Sequence, residues 1–186
     1  MSTTTDTAIE LPLAPGLWLV DQNHSSVNFS IRHLGLSKVR GRFNGFDARL
    51  VVGESLAESS LEATLDMASV DTGNSDRDNH LRSPDFFHVE AHPEIHFVSR
   101  EITGSGSTWQ VDGDVTILGE TRPFTLEVEF GGLADFRDER HAGFGATGQL
   151  RRKAFGLHFN LPPGTGALLG DVVTFDLDVE LIEPRN

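Results

Sequence analysis

A chain of 186 residues with 38% apolar residues is long enough to bury one core, so a single domain is expected. Its formal charge of -13 opposes phosphate backbones and anionic headgroups, which argues against a nucleic acid partner. Cysteine is absent, which excludes disulfides, thiolate zinc sites and cysteine nucleophiles, and no apolar run approaches the ~20 residues of a membrane-spanning helix, so no integral membrane segment is expected.

In chain order, residues 1 to 15 are Thr-rich, carry Pro12 and Pro15 and lack the period of a packed element, so they read as a mobile tail ahead of one domain over residues 16 to 184. The start has neither a cationic nor an apolar region of signal-peptide kind, and cytoplasmic residence is the expectation. From Val27 the chain alternates. Val27, Phe29, Ile31 and His33 share one face of an extended segment, with Ser26, Asn28, Ser30 and Arg32 on the other. The same period of two returns at Phe46 to Val52, Leu61 to Met67, Ile95 to Phe97, Val111 to Ile117, Phe124 to Phe130, Phe144 to Leu150 and Val173 to Leu181. Eight strands follow, separated by Gly, Ser, Asp and Pro clusters of turn chemistry. Helical periodicity is confined to residues 74 to 82, where Asn74 or Ser75 caps, Asp76 and Asp78 occupy the first turn and Pro84 stops the run.

Eight strands with one apolar face each fit a sandwich or a closed antiparallel barrel. A barrel of that size is wide enough to be filled by side chains or to hold one small ligand. Small inward residues, Ala48, Ala63, Gly113, Ala146 and Gly148, point weakly toward room inside, although glycine also marks bends. The aromatic inventory of 13 Phe, 2 Trp and no Tyr suits a dry interior or a pocket for something equally apolar.

Two motifs have the wrong context. Gly143-Phe-Gly145-Ala-Thr-Gly148 has G-x-G-x-x-G spacing, but a charged loop over residues 135 to 140 precedes it and strand alternation follows, where a dinucleotide fingerprint needs a strand and then a helix. His80, His88, His92 and His96 include residues four apart, a spacing that aligns ligands only on a helix, and Pro93 opposes a helix there, so no metal is expected. No spacing singles out a catalytic acid–base pair, so no catalytic residue is assigned.

Several segments in order carry a family resemblance: Trp18-x-Val20-Asp21-x-x-His24-Ser25, Phe29-x-Ile31-x-His33, Val39-x-Gly41-x-Phe43, Ser69-Val70-Asp71-Thr72-Gly73, Arg77-Asp78-x-His80-Leu81 and Asp85-Phe86-Phe87. Later pieces continue it: Pro93-x-Ile95-x-Phe97-x-Ser99, Gly113-x-Val115-Thr116-Ile117-x-Gly119-x-Thr121-x-Pro123 and Arg152-x-Ala154-Phe155-Gly156. Together they resemble the YceI-like family. The resemblance implies an all-β, eight-stranded antiparallel lipocalin-like β-barrel with a short helix in the 71 to 93 connection. It also implies an apolar tunnel for a long-chain isoprenoid lipid or quinone, a carrier or storage role without a further cofactor, and a homodimer. The chain departs from the family at His88 and His92, where an acid and an aromatic are more usual.

On that reading the tail lies along Phe29, Ile31, Phe43, Phe46, Leu50, Phe97 and Val115, and the 71 to 93 connection forms a lid in which one ring of Phe86-Phe87 covers the tunnel while the other packs on the barrel wall. A plug with no ligand is the alternative. His33 offers one polar group inside. Arg77 and Arg82 reach a headgroup or pair with Asp76, Asp78 or Asp85, and Arg151-Arg152-Lys153 beside Phe155 is either a headgroup contact or a solvated strand end. The competing functional reading is an enzyme acting on a small apolar substrate in the same cavity, with His33 or His80 as acid or base.

Overall fold

The computed structural model describes residues 12 to 160 and 168 to 183. Its strands are β1 (Gly16–Val20), β2 (Ser26–His33), β3 (Ser37–Phe43), β4 (Phe46–Val52), β5 (Ser60–Asp66), β6 (Val70–Asp71), β7 (Glu94–Ser105), β8 (Thr108–Ile117), β9 (Glu120–Phe136), β10 (Glu139–Arg151) and β11 (Leu169–Ile182). One α-helix, α1 (Ser75–Arg82), and 3-10 turns at Leu56–Glu58, Met67–Ser69 and Arg152–Phe155 complete the described elements.

All the pairings are antiparallel, and they close. The ring runs β1-β4-β5-β7-β8-β9-β10-β11 and returns to β1 through Leu19↔Ile182 and Val20↔Leu181, an eight-stranded barrel. Closure removes the edges of the eight-stranded ring, while β3 outside it meets β6 only at Arg42 and Phe43. β2 and β3 prolong β1 and β4 past short bends, so β11 changes partner from β1 to β2 along its length.

Each of the eight alternating segments of the sequence is a strand, and β1, β3 and β6 add to them. β3 escapes a pattern search because its inward residues are Ser37, Val39, Gly41 and Phe43, half of them small or polar, opposite Lys38, Arg40 and Arg42. The charged stretch 135 to 140 is corrected from a loop to a hairpin. β9 runs to Phe136 and β10 starts at Glu139, leaving a two-residue turn in which Arg137 and Asp138 have φ of 49° and 64°. Positive φ at both positions matches the twist of the flanking strands. Packing also begins earlier than the tail reading allows: Leu13 is buried and the Ala14 carbonyl accepts from Trp18 Nε1 at 3.0 Å. Residues 1 to 11 lie outside the described residues.

The helix forms as its caps predict, with the Asn74 side chain accepting from Arg77 N–H at 2.9 Å and the helix ending at Ser83 before Pro84. Its inward anchor is Asp78, a buried carboxylate that accepts from Thr72 N–H at 2.9 Å and from the Thr72 hydroxyl. Capping and this buried acceptor fix α1 against the mouth of the barrel, although the helix is eight residues long and mostly polar.

Candidate functional site: two chambers of unequal polarity

Among the described residues, two adjoining cavities stand out in the barrel. The smaller, about 170 Å³, is lined by inward side chains of the strands, among them Phe46, Leu50, Phe97, Val115, Trp109 and Phe144; Asp47 and Ser59 border it without presenting polar surface to it. Leu13, Val52 and Leu181 line its far end and pack with Trp18 and Ala142 in a second small core. An apolar cavity near ~150 Å³ is of a size that stays dry and accepts a hydrocarbon.

The larger, about 490 Å³, falls in the usual range of ligand pockets, ~300 to 1,000 Å³. Phe29, Ile31, Val39 and Phe43 line one side of it, Leu81, Phe86 and Phe87 another, and Leu157, Phe159, Leu168 and Leu169 a third. Unlike the small chamber it presents polar groups: His33, Ser37, Thr72, Arg77, His80 and Arg152. Ile95, Leu150 and Phe175 line both chambers, so the two meet there. Beside this junction Phe97, Phe124 and Phe175 form an edge-to-face series with centroids 6.0 Å apart at each step. The interior is therefore two compartments joined at a waist of side chains.

Small inward residues do two different things. Ala48, Ala63 and Ala146 line the small chamber. The glycines do not add room, which corrects the expectation for Gly113 and Gly148. A Cβ on Gly113 would lie 2.6 Å from the Phe97 ring, and one on Gly148 would lie 2.5 Å from the Phe124 ring. Gly41 admits the Phe29 ring in the same way, at 2.5 Å. The absent side chains let phenyl rings lie flat against the strands, and the rings fill the space.

Of the residues singled out in the sequence, Phe29, Ile31, His33, Phe43, Arg77, Phe86 and Phe87 line the large chamber, and Phe46, Leu50, Phe97 and Val115 the small one. Phe86 packs on Phe159 at 4.6 Å and edge-on to His80 at 5.0 Å, while Phe87 faces Phe43 of the wall at 6.2 Å. Arg82 and Phe155 line neither chamber. Arg82 donates to the Ala68 and Val70 carbonyls, at 2.7 Å each, and to Asn79, tying α1 to the chain before it. Phe155 is buried in the main core. Arg77 pairs with none of the aspartates proposed for it: it donates to the hydroxyl and carbonyl of Thr72 at 2.7 and 2.9 Å.

The run 151 to 153 divides. Arg151 is exposed and pairs with Asp171 at 3.3 Å, and Lys153 is exposed. Arg152 is 3% exposed, and its guanidinium donates to the carbonyls of Gly170 at 2.7 Å, Phe159 at 3.0 Å, Leu169 at 3.4 Å and Leu157. Burial pushes it below the ordinary arginine value, with the Asp171 charge acting the other way. Arg152 is thus a buried cation held by carbonyl dipoles in the chamber wall, a division of the run that the sequence, which offered a headgroup contact or a solvated strand end for all three, did not resolve because neighbours 151 and 153 are solvated.

His80, the other polar group facing this chamber from α1, meets Asp85 through Nε2 at 3.0 Å. The His88 and His92 rings lie 6.2 Å apart, and His96 pairs with Glu94 at 2.9 Å. Outside the barrel, at the bend between β1 and β2, Asp21, His24 and Glu180 lie together, with His141 Nδ1 at 2.7 Å from Glu180. The hydrogen bond that the Asp21 carboxylate accepts from His24 lowers the Asp21 pKa and raises that of His24. None of these four lines a chamber.

The model of the YceI-like domain matches residues 18 to 181. The chain belongs to the YceI-like family. A UPF0312 protein of Staphylococcus epidermidis is 41% identical over 165 residues, 86% of this chain and 94% of its own length. Protein YceI of Escherichia coli is 36% identical over 144 residues, 76% of this chain and 75% of that protein. Among solved structures the Campylobacter jejuni YceI protein superposes with a TM-score of 0.70 at 28% identity, covering 83% of this YceI-like chain and 90% of that one. A polyisoprenoid binding domain from Saccharophagus degradans shares the fold at a TM-score of 0.64 and 13% identity, over 90% of this chain and 98% of that domain. No helix among the described residues is long and apolar enough to cross a membrane.

Proposed function

We propose that this YceI-like protein binds and carries a long-chain isoprenoid lipid or quinone, with its tail passing the waist into the small chamber and its polar head in the large one. The observation that carries this reading is the division of polarity: two adjoining chambers, one apolar and one with His33, Ser37, Thr72, Arg77, His80 and Arg152 on its walls. The likeness in fold to a domain described as polyisoprenoid binding adds support. Burial is worth about 0.8 kcal/mol per CH₂, so a tail supplies affinity without any particular polar contact. One methylene changes binding by only about 1 to 3 kcal/mol, so selectivity among tails is modest.

Organic extraction of the purified protein followed by mass spectrometry is the test. A near-stoichiometric long-chain isoprenoid is expected; an empty extract together with no uptake of added lipid overturns the reading. The proposal extends to a homodimer, supported by the family likeness, and to cytoplasmic residence; light scattering and cell fractionation test these separately.

One contact favours a second reading. His80 faces the large chamber and is hydrogen-bonded to a carboxylate, an arrangement that serves acid–base chemistry on a bound substrate. If it acts so, His80→Ala abolishes turnover and leaves ligand binding in place. A carrier loses no turnover, because it has none.

A further inference from the structure

The net charge conceals an asymmetry. From Gln22 to Phe46 the sequence has no Asp or Glu and four cations, Arg32, Lys38, Arg40 and Arg42, in a chain with 28 acidic and 15 basic residues. The fold gathers them. β2 and β3 pair with Arg32 opposite Lys38, Ser30 opposite Arg40 and Asn28 opposite Arg42, so all four point outward from one hairpin and all are exposed. Arg42 pairs with Asp71 at 3.1 Å; no described carboxylate forms an ion pair with Arg32, Lys38 or Arg40.

The tip of the same hairpin is apolar. Leu34 is 47% exposed and Leu36 82%, the highest exposure of any large hydrophobic residue described. Leu34 and Gly35 have φ of 52° and 71°, and the Leu34 N–H donates to the Leu168 carbonyl at 2.9 Å, so the turn is held against the chamber rim while its side chains project. On the inner face of these strands Phe29, Ile31, His33, Ser37 and Val39 line the large chamber. One hairpin thus has a cavity wall inside, cations outside and leucines at its end.

We propose that this hairpin docks the protein on an anionic lipid bilayer, with Leu34 and Leu36 entering the interface and Arg32, Lys38 and Arg40 meeting the headgroups, so that the large chamber takes up or releases its ligand at the membrane surface. The proposal deepens the lipid-carrier reading and rests on it for the purpose of docking. Overall negative charge does not prevent it. At ~0.1 M salt the screening length is about 10 Å, so acids on distant strands are hidden from the bilayer while the hairpin is in contact. Each Lys or Arg near an anionic surface strengthens binding about fivefold, and with only three free cations and two leucines the contact is reversible, as a carrier requires. Nucleic acid would use the cations but gives protruding leucines nothing to bury in.

The test is flotation of the full chain with vesicles of phosphatidylcholine alone and of phosphatidylcholine mixed with phosphatidylglycerol, at low and at raised salt. The unaltered protein should float with the mixed vesicles only, and less as salt rises. Replacing Arg32, Lys38 and Arg40 together by Gln should weaken this about a hundredfold. Leu34→Ser with Leu36→Ser should weaken it about tenfold and slow lipid transfer from vesicles by a similar factor. These five side chains line neither chamber, so uptake of the same lipid from detergent solution should be unchanged in both variants. Loss of uptake from detergent in the unaltered protein would overturn the carrier reading, whatever the vesicles show. The docking proposal itself fails if the unaltered protein ignores charged vesicles, binds both kinds alike, or floats equally well with the three cations removed. Retention of an acidic protein by the hairpin without any flotation would likewise overturn it, making the surface a protein interface.

Discussion

The two chambers are built by different means. The small one is a product of strand alternation: its walls are inward side chains of paired strands, and glycines at 113 and 148 set how closely phenyl rings lie on the sheet. The large one adds to strand ends of β7, β8, β10 and β11 a cover of α1, the turn after it, the β2–β3 hairpin and the segment after β10. Hydrogen bonds from charged side chains to backbone carbonyls hold those connections in place, through Arg77, Arg82 and Arg152. Apolar packing makes the first chamber tolerant of what it holds, whereas the second depends on a few irreplaceable donors.

That contrast is tested most sharply at Arg152. Arg152→Met removes the charge but strands carbonyls that are otherwise buried, and an unfolding free energy lower by about 3 to 5 kcal/mol is expected in urea titrations. Arg152→Lys should not rescue it, since an ammonium lacks the planar fork that reaches several carbonyls. Hydrogen exchange should rise at residues 157 to 159 and 169 to 170 while β5 and β7 stay protected. Equal loosening of the small chamber would break the comparison.

At the waist, Phe175→Ala removes a ring that both chambers share and should cost about 2 to 4 kcal/mol, somewhat below a fully buried Phe because Phe175 is half-buried. Tails recovered by extraction should lengthen in this variant, and Leu150→Trp should shorten them. Unchanged tail lengths in both would mean that ligand never passes Phe175. Gly148→Ala acts on the small chamber alone: its methyl would meet Phe124 at 2.5 Å and the Thr125 carbonyl at 2.9 Å, a clash worth about 1 to 3 kcal/mol that should leave headgroup selectivity untouched.

What a sequence reader can see follows the strands more than the chambers. Period two marks the strands whose inward positions are large and apolar, so Phe46, Leu50, Phe97 and Val115 of the small chamber and Phe29 and Ile31 of the large one were legible on inward faces. Asn74 and Pro84 bracket a helix by local chemistry alone. β3 was hidden because Ser37 and Gly41 interrupt its apolar face, and the reason for Gly41 is a ring twelve positions away in sequence, Phe29. The roles of Arg152 and Arg82 stayed open for a related reason: their partners are carbonyls, which every residue possesses, so nothing in the sequence marks where they will be. Charge clusters announce themselves only when their partners are charged too.

The smallest expected effect lies outside both chambers, at the seam where β11 passes from β1 to β2. The His24 hydrogen bond, then its charge, lowers Asp21, and the Asp21 hydrogen bond and charge raise His24. A raised imidazole contributes stability below its ordinary value of 6.5 that is lost as pH climbs through the folded value. A lowered carboxylate contributes above 3.8 and is lost as pH falls through its own folded value. The pair therefore supports the seam most between those two values. Thermal unfolding should show a midpoint that declines as pH climbs above the ordinary imidazole value of 6.5, and His24→Gln should flatten that decline. His24 is exposed and solvent screens it, so the change is slight beside those of Arg152 and Phe175. Glu180 and His141 face the same bend and remain in the variant, so a decline of unaltered slope would overturn the assignment to His24.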